Sequence, residues 1–133
     1  MNENILIVDD EPNFRFSAEL ALKKRGYTIS ETGDGEDAFA RILDAESNRT
    51  PFDLVLLDMD LPSLSGIEIM RKLHGMKITV PVIVISGHIP TDIYKELLAL
   101  GCTDIFFKPI SEKILIARVT ELLQKAKAKL TAE

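Results

Sequence analysis

Four strand-like stretches of the chain, three of them mainly apolar, run out onto side chains that can do chemistry. Asn4 to Val8 ends on Asp9, Asp10 and Glu11, and Leu54 to Leu57 ends on Asp58, with Asp60 two residues further on. Val80 to Ile85 ends on Ser86, and Thr103 to Phe107 ends on Lys108. Apolar runs of this length bounded by turn signals read as strands buried on both faces, the kind found in parallel sheets. The C-terminal ends of such strands face the ligand crevice of an open α/β sheet. If the first and third strands are neighbours, three carboxylates converge there. Two such charges at 4 Å repel by about 4 kcal/mol at an effective dielectric of 20, so something cationic must offset them. An all-oxygen site with a few carboxylates suits Mg²⁺ better than zinc or copper. A phosphoryl group is then the natural ligand, because a divalent cation, a lysine ammonium and a hydroxyl donor can together bind its oxygens.

The elements that must position these residues alternate in type. After the first strand, Pro12 sits where a helix tolerates proline, with acids before it that complement the helix dipole. Phe14, Ala18, Ala21 and Leu22 then recur at helical spacing until Lys23, Lys24, Arg25 and Gly26 mark a stop. Tyr27 to Thr32 is the least apolar strand, as an outer position permits. The Gly33-Asp34-Gly35 turn opens a helix over Glu36 to Ala45 with Ala38, Phe39, Ile42 and Leu43 as its inward stripe. Asp34 and Asp37 read as a solvated turn and helix start. Ser63 to Gly66 leads into a helix carrying Ile67, Ile69, Met70 and Leu73, with His74 near its end as a dipole partner. Pro90 to Leu100 is a helix closed by Gly101. Ser111 caps a last one through Leu123, with Ile114, Leu115, Val119, Leu122 and Leu123 facing in. Five strand and helix pairs with short connections predict one α/β domain, a parallel sheet covered on both faces. The domain spans residues 1–124, and 125–133, with alternating Lys and Ala, reads as a fraying helix end or a tether.

The totals bound the setting. At 133 residues the chain is the size of one domain. A formal charge of −5 without a basic cluster argues against nucleic acid as a direct partner. The single cysteine, Cys102, has no partner for an internal disulfide and reads as a small core or loop residue. No apolar stretch is longer than a strand, and the N-terminus lacks the pattern of a secretory signal, so the reading is cytoplasmic with no membrane partner.

The motifs ILIVDDEP, LVLLDMDLPSLSG, VIVISG and FFKP, in this order and at this spacing, resemble those of the response-regulator receiver domain of two-component signalling. The resemblance covers Asn4 to about Leu123 and implies a (βα)5, flavodoxin-like fold with sheet order 2-1-3-4-5. It makes Asp58 the phosphoacceptor, with Mg²⁺ held by Asp10 and Asp58, supported by Asp9, and bound by the backbone carbonyl of Asp60. Ser86 takes the position of the hydroxyl that turns toward the phosphoryl group, Gly87 follows it, and Lys108 that of the lysine bonding the phosphoryl oxygens. Pro109 would follow a cis peptide, and proline tolerates one best. His88 borders the phosphoryl site, where it can tune the lifetime of the acyl phosphate.

The implied partners are a sensor histidine kinase or phosphotransfer protein as donor and an output protein or effector domain as receiver of the signal. The changing surface would be that of helix four, strand five and helix five. Two departures stand out: Ile105 occupies a position often aromatic in the family, and Ser86-Gly87 replaces the commoner Thr-Ala. Asp104 and Arg118 match positions that pair across a dimer in the family's transcription-factor branch, implying a phosphorylation-dependent homodimer. An enzymatic alternative also exists, because DMD resembles the DxD nucleophile motif of haloacid-dehalogenase-type phosphatases, with Asp58 and Asp60 as its acids. That family puts its DxD strand first and an acidic pair last, which this chain does not. A stand-alone regulator and a piece of a longer one remain equally open.

Overall fold

A computed structural model of the chain, described here over residues 2–132, alternates strand and helix throughout. The order is β1 (Asn4–Val8), α1 (Pro12–Lys23), β2 (Thr28–Thr32), α2 (Gly35–Ser47), β3 (Leu54–Leu57), α3 (Gly66–Gly75), β4 (Val82–Ser86), α4 (Thr91–Ala99), β5 (Asp104–Phe107) and α5 (Glu112–Ala132). The strands form one parallel sheet of order β2-β1-β3-β4-β5, as expected. Strand order therefore reverses between β1 and β3, where an open α/β sheet has its crevice.

Successive side chains of a strand point to opposite faces, and this sorts the core into two layers. Leu6, Val8, Val55, Leu57, Val82 and Val84 pack under α2, α3 and α4, against Ala38, Ile42, Ile69, Met70, Leu73 and Leu97. Ile5, Ile7, Leu54, Leu56, Ile83 and Ile85 pack under α1 and α5, against Ala18, Leu22, Leu115, Val119 and Leu123. The three inner strands are buried at almost every position, and β2 is an edge strand with only Thr32 buried.

The helix signals act locally as expected. Pro12 opens α1 and Ser111 Oγ accepts from the Ile114 N–H at 3.1 Å, whereas Asp34, read as part of a solvated turn, caps α2 by accepting from the Asp37 N–H. Gly26 and Gly101 follow α1 and α4 with φ of +92° and +90°. His74 lies in the last turn of α3. Two details differ. Ile114 is 55% exposed and not inward, because the buried stripe of α5 runs Leu115, Val119, Leu123, and Ile114 is rotated about 100° from it. The helix also continues past Leu123 to Ala132, since Lys and Ala both favour helix, and Lys127 Nζ lies 3.4 Å from Glu3 Oε1. Glu133 lies outside the described residues.

One close approach ties the β3–α3 loop to α2. Gly35 N–H donates to the Pro62 carbonyl at 3.1 Å, and Ser63 Oγ donates to Asp34 Oδ1 at 2.8 Å while accepting from the Glu36 N–H at 3.1 Å. A Cβ on Gly35 would lie 1.7 Å from the Leu64 carbonyl oxygen, so only backbone movement could admit it. Gly35→Ala is expected to lose about 2–3 kcal/mol in urea unfolding, the upper range for forced overpacking. An unchanged midpoint would show that the loop is free to give way.

Candidate functional site

The register of the central strands does most of the positioning. Val8 pairs with Leu57, so the next residues of the two strands, Asp9 and Asp58, emerge side by side at the reversal of strand order. The Asp58 N–H donates to the Val8 carbonyl at 3.0 Å, and the Asp9 N–H to the Thr32 carbonyl at 3.1 Å, extending the ladder by one residue on each side. Asp9 and Asp58 are 1% and 4% exposed, whereas Asp10 is open to solvent. One carboxylate oxygen from each of Asp9, Asp10 and Asp58 lies within 4.8 Å of the others.

Asp58 is held from both sides. Its Oδ1 accepts from Ser86 Oγ at 2.7 Å and from the Asp60 N–H at 3.2 Å, and its Oδ2 faces Lys108 Nζ at 3.4 Å. Ser86 is fully buried. Lys108 reaches the site because its N–H donates to the Ser86 carbonyl at 2.9 Å, which carries the β4–β5 ladder to the end of the sheet. Its ammonium sits 2.7 Å from Asp9 Oδ2, 2.5 Å from Glu11 Oε1 and 4.9 Å from the centre of the Phe14 ring. The Lys108–Pro109 peptide is cis. Beside it, Glu11, Phe14, Gly87, Lys108, Pro109 and Ile110 line an open crevice of about 490 Å³.

Burial opposes the charge on Lys108, yet its hydrogen bonds to Asp9 and Glu11 outweigh that and hold it above the usual lysine range. Burial pushes the Asp9 carboxyl up, and the neighbouring Asp58 charge adds to the rise. Bonds from Lys108 and the Glu11 N–H pull the other way without cancelling it. Because the folded-state value lies above the unfolded one, native Asp9 binds more protons across that interval. Its contribution to stability is therefore full below 3.8 and declines as pH rises through the folded value. Glu31, Asp34, Glu68 and Glu96 are all held down, so their contributions are complete above the usual carboxylate values and shrink only in acid. In EDTA, urea midpoints measured from roughly pH 4 to 8 should fall with rising pH through the Asp9 titration. Asp9→Asn should remove that fall, and a decline identical in both proteins would reject this origin.

The remaining sequence-predicted residues fall around the site. Asp60 is exposed and stands outside the cluster formed by Asp9, Asp10 and Asp58, meeting Asp58 through its backbone N–H. His88 is exposed on the loop after β4, and a Cβ at Gly87 would meet nothing within 4 Å. Ile105 packs against the α4-side core, Phe106 against the opposite one, and the half-exposed Phe107 ring stacks on Tyr94 of α4 at 6.2 Å. Within the chain, Arg118 bonds both Asp104 and Glu121. Cys102 is half-buried, and burial followed by the Asp104 charge pushes its thiol up, away from reactivity. Sequence reasoning missed Glu11 as a lysine partner, Arg15 as a bond to the Asp9 backbone, and the Tyr94–Phe107 stack.

The profile described as "Response regulator receiver domain" matches residues 5–120. The chain belongs to the response-regulator receiver domain family. As a receiver it is a phosphoacceptor switch of two-component signalling, and nothing in the match supports the dehalogenase-type alternative. It is 31% identical over 125 residues to the cell cycle transcriptional regulator CtrA of Caulobacter vibrioides, covering 92% of this chain and 51% of that protein. It is 37% identical over 127 residues to the phosphate regulon transcriptional regulatory protein PhoB of Pseudomonas aeruginosa, covering 94% and 53%. The receiver thus spans about half the length of these relatives. The signal receiver domain of a putative Luxo repressor protein from Vibrio parahaemolyticus superposes with a TM-score of 0.84 at 26% identity, covering 100% of this chain and 98% of that one. Among the described residues, no helix of the receiver is long and apolar enough to cross a membrane.

Proposed function

We propose that Asp58 is the phosphoacceptor of this receiver, with Ser86 and Lys108 as the groups that bind the transferred phosphoryl oxygens. The observation that carries this reading is the Asp58 carboxylate itself, buried at the β1/β3 reversal with a hydroxyl on one oxygen and an ammonium beside the other. An Asp58 oxygen attacks phosphorus in line, the bond from phosphorus to the leaving nitrogen or oxygen of the donor breaks, and its electron pair departs with the donor. The donor is a phosphohistidine of a sensor kinase or phosphotransfer protein, or a small acyl phosphate. Lys108 lies within reach of the charge that develops, and Asp9 and Glu11 keep it protonated.

The carboxylates of Asp9, Asp10 and Asp58, with the Asp60 carbonyl, would hold Mg²⁺. The fit rests on an all-oxygen donor set gathered within 4.8 Å and on a buried Asp9 whose charge is under-compensated. When bound, Mg²⁺ supplies charge neutralisation for these carboxylates and for phosphoryl oxygens.

The switch follows from Ser86. Its hydroxyl now spends its bond on Asp58, and an acyl phosphate there offers it oxygens further out. Ser86 is in register with Phe107, whose ring stacks on Tyr94, so a shift at the β4 end reaches the α4–β5 surface, which an output partner would read. His88, exposed two residues beyond Ser86, would tune the acyl-phosphate lifetime, and the setting would be the cytoplasm. Intact-mass measurement after incubation with acetyl phosphate and Mg²⁺ tests the assignment. One added phosphoryl group, released by hydroxylamine as an acyl phosphate is and a serine ester is not, supports it. A protein that gains none, or gains a hydroxylamine-stable one, overturns it.

A further inference from the structure

Arg15 stands one turn into α1, past the acidic run, and turns back toward the sheet with its side chain only 20% exposed. Its Nη1 donates to the main-chain carbonyl of Asp9 at 2.7 Å, and its Nε donates to Glu31 Oε1 on β2 at 3.2 Å. That carbonyl lies where the β1–β2 ladder runs out. A continuing parallel ladder would give it the Asp34 N–H, but the Asp34 N–H instead bonds Thr32 Oγ1 at 3.2 Å as the chain turns at Gly33. The guanidinium fills the vacancy. It occupies the space beside Gly33, where an added Cβ would lie 2.7 Å from Nη1 and 3.4 Å from the Asp9 carbonyl oxygen.

We infer that Arg15 is a positioning residue for the cation site, fixing the peptide plane that aims the carboxylates of Asp9 and Asp10. This rests on the reading that those carboxylates hold Mg²⁺. The Asp9 carbonyl and the Asp10 N–H share one rigid plane, so holding the carbonyl sets the direction from which the Asp10 side chain departs. The Asp9 carboxylate has its own fixings, the Glu11 N–H and Lys108, whereas solvent-exposed Asp10 depends on the backbone. Arg15 thus bonds the backbone of a ligand residue but none of the carboxylate oxygens, an outer partner of the sort whose loss typically weakens metal binding about 10- to 100-fold.

The sign of the effect separates this role from a charge effect. Deleting a nearby cation without moving the carboxylates would tighten Mg²⁺, because a repulsion disappears. Deleting a positioning group loosens it. Titration calorimetry with MgCl₂ on the wild-type protein, Arg15→Met, Arg15→Lys and Gly33→Ala decides, with urea melts confirming that each is folded. The expected result is a dissociation constant raised roughly tenfold in Arg15→Met and partly restored in Arg15→Lys. Gly33→Ala keeps the charge but displaces the guanidinium, and should weaken binding likewise. The initial rate of phosphorylation by acetyl phosphate should fall at low Mg²⁺ and recover at saturating Mg²⁺. Should Arg15→Met not fold, Gly33→Ala carries the test. Wild-type protein that binds no Mg²⁺ overturns the metal reading and this inference with it. Wild-type binding that the folded variants leave within twofold, or tighten, overturns the role of Arg15 alone.

Discussion

Asp58→Asn takes up no phosphoryl group from acetyl phosphate and Mg²⁺, and in EDTA it withstands more urea than the wild-type protein. The first result follows because an amide is no nucleophile and nothing nearby replaces the carboxylate. Asp60 is exposed and outside the acidic cluster, while Asp9 is committed to Lys108 and the Glu11 N–H. The second follows from electrostatics. The carboxamide keeps the shape and an acceptor for Ser86 Oγ, but it removes one of two buried charges that repel each other. The Lys108 contact that is lost is the longest of its three, 3.4 Å against 2.7 and 2.5 Å. A net gain of about 1–2 kcal/mol is expected, smaller than the bare Coulomb repulsion because that lost contact offsets part of it. Label retained by Asp58→Asn, or abolished only by Asp60→Asn, would move the chemistry to another residue, and a less stable Asp58→Asn would reverse the electrostatic argument.

Lys108→Met should do the opposite. The thioether fills much the same space but leaves Asp9 and Asp58 buried without their cation, a loss of about 3–5 kcal/mol in EDTA near neutral pH. Two treatments should restore stability, lowering the pH so that a carboxyl takes up a proton, and adding Mg²⁺. Phosphoryl uptake at saturating Mg²⁺ should still fall on the order of a hundredfold, the scale of losing one preorganised electrostatic donor. Glu11→Gln is the contrast. Glu11 is 62% exposed, so its bond to Lys108 is screened by water, and removing it should leave stability nearly unchanged. Urea melts in EDTA and in Mg²⁺, paired with mass-based labelling rates, read both effects. Equal stability of Lys108→Met and wild type in EDTA would mean that the carboxylates are compensated by something other than the lysine.

Much of this was legible in the chain because parallel β strands state their burial openly. After Asn4, the runs that end on Asp9, Asp58 and Ser86 are apolar at every step, since both faces are covered, and their abrupt change to polar residues marks the rim where chemistry sits. Asp58 and Asp60 separate for a similar reason: one lies at the buried strand end and the other in the loop. What could not be read depends on rotamers and long reach. Glu11 and Lys108 are 97 positions apart and meet only because β1 and β5 end at one rim. Arg15 carries no signal of its own, since a basic residue on a helix usually faces water. Ile114 was misjudged because a first-turn apolar residue extends the inward pattern on paper, while a rotation of about 100° per residue takes it past the sheet.

The Tyr94–Phe107 stack has an optical side. The chain contains no tryptophan and two tyrosines, Tyr27 and Tyr94, and among the described residues only Tyr94 of the two lies against another ring, in the stack that joins α4 to β5. Tyrosine ultraviolet absorption, emission and near-ultraviolet dichroism all respond to a parallel aromatic neighbour. The protein therefore carries a built-in chromophore on the surface that its switch would move, and with Tyr27→Phe as a silent background, the arrival of a phosphoryl group some distance away could be followed in real time without a label.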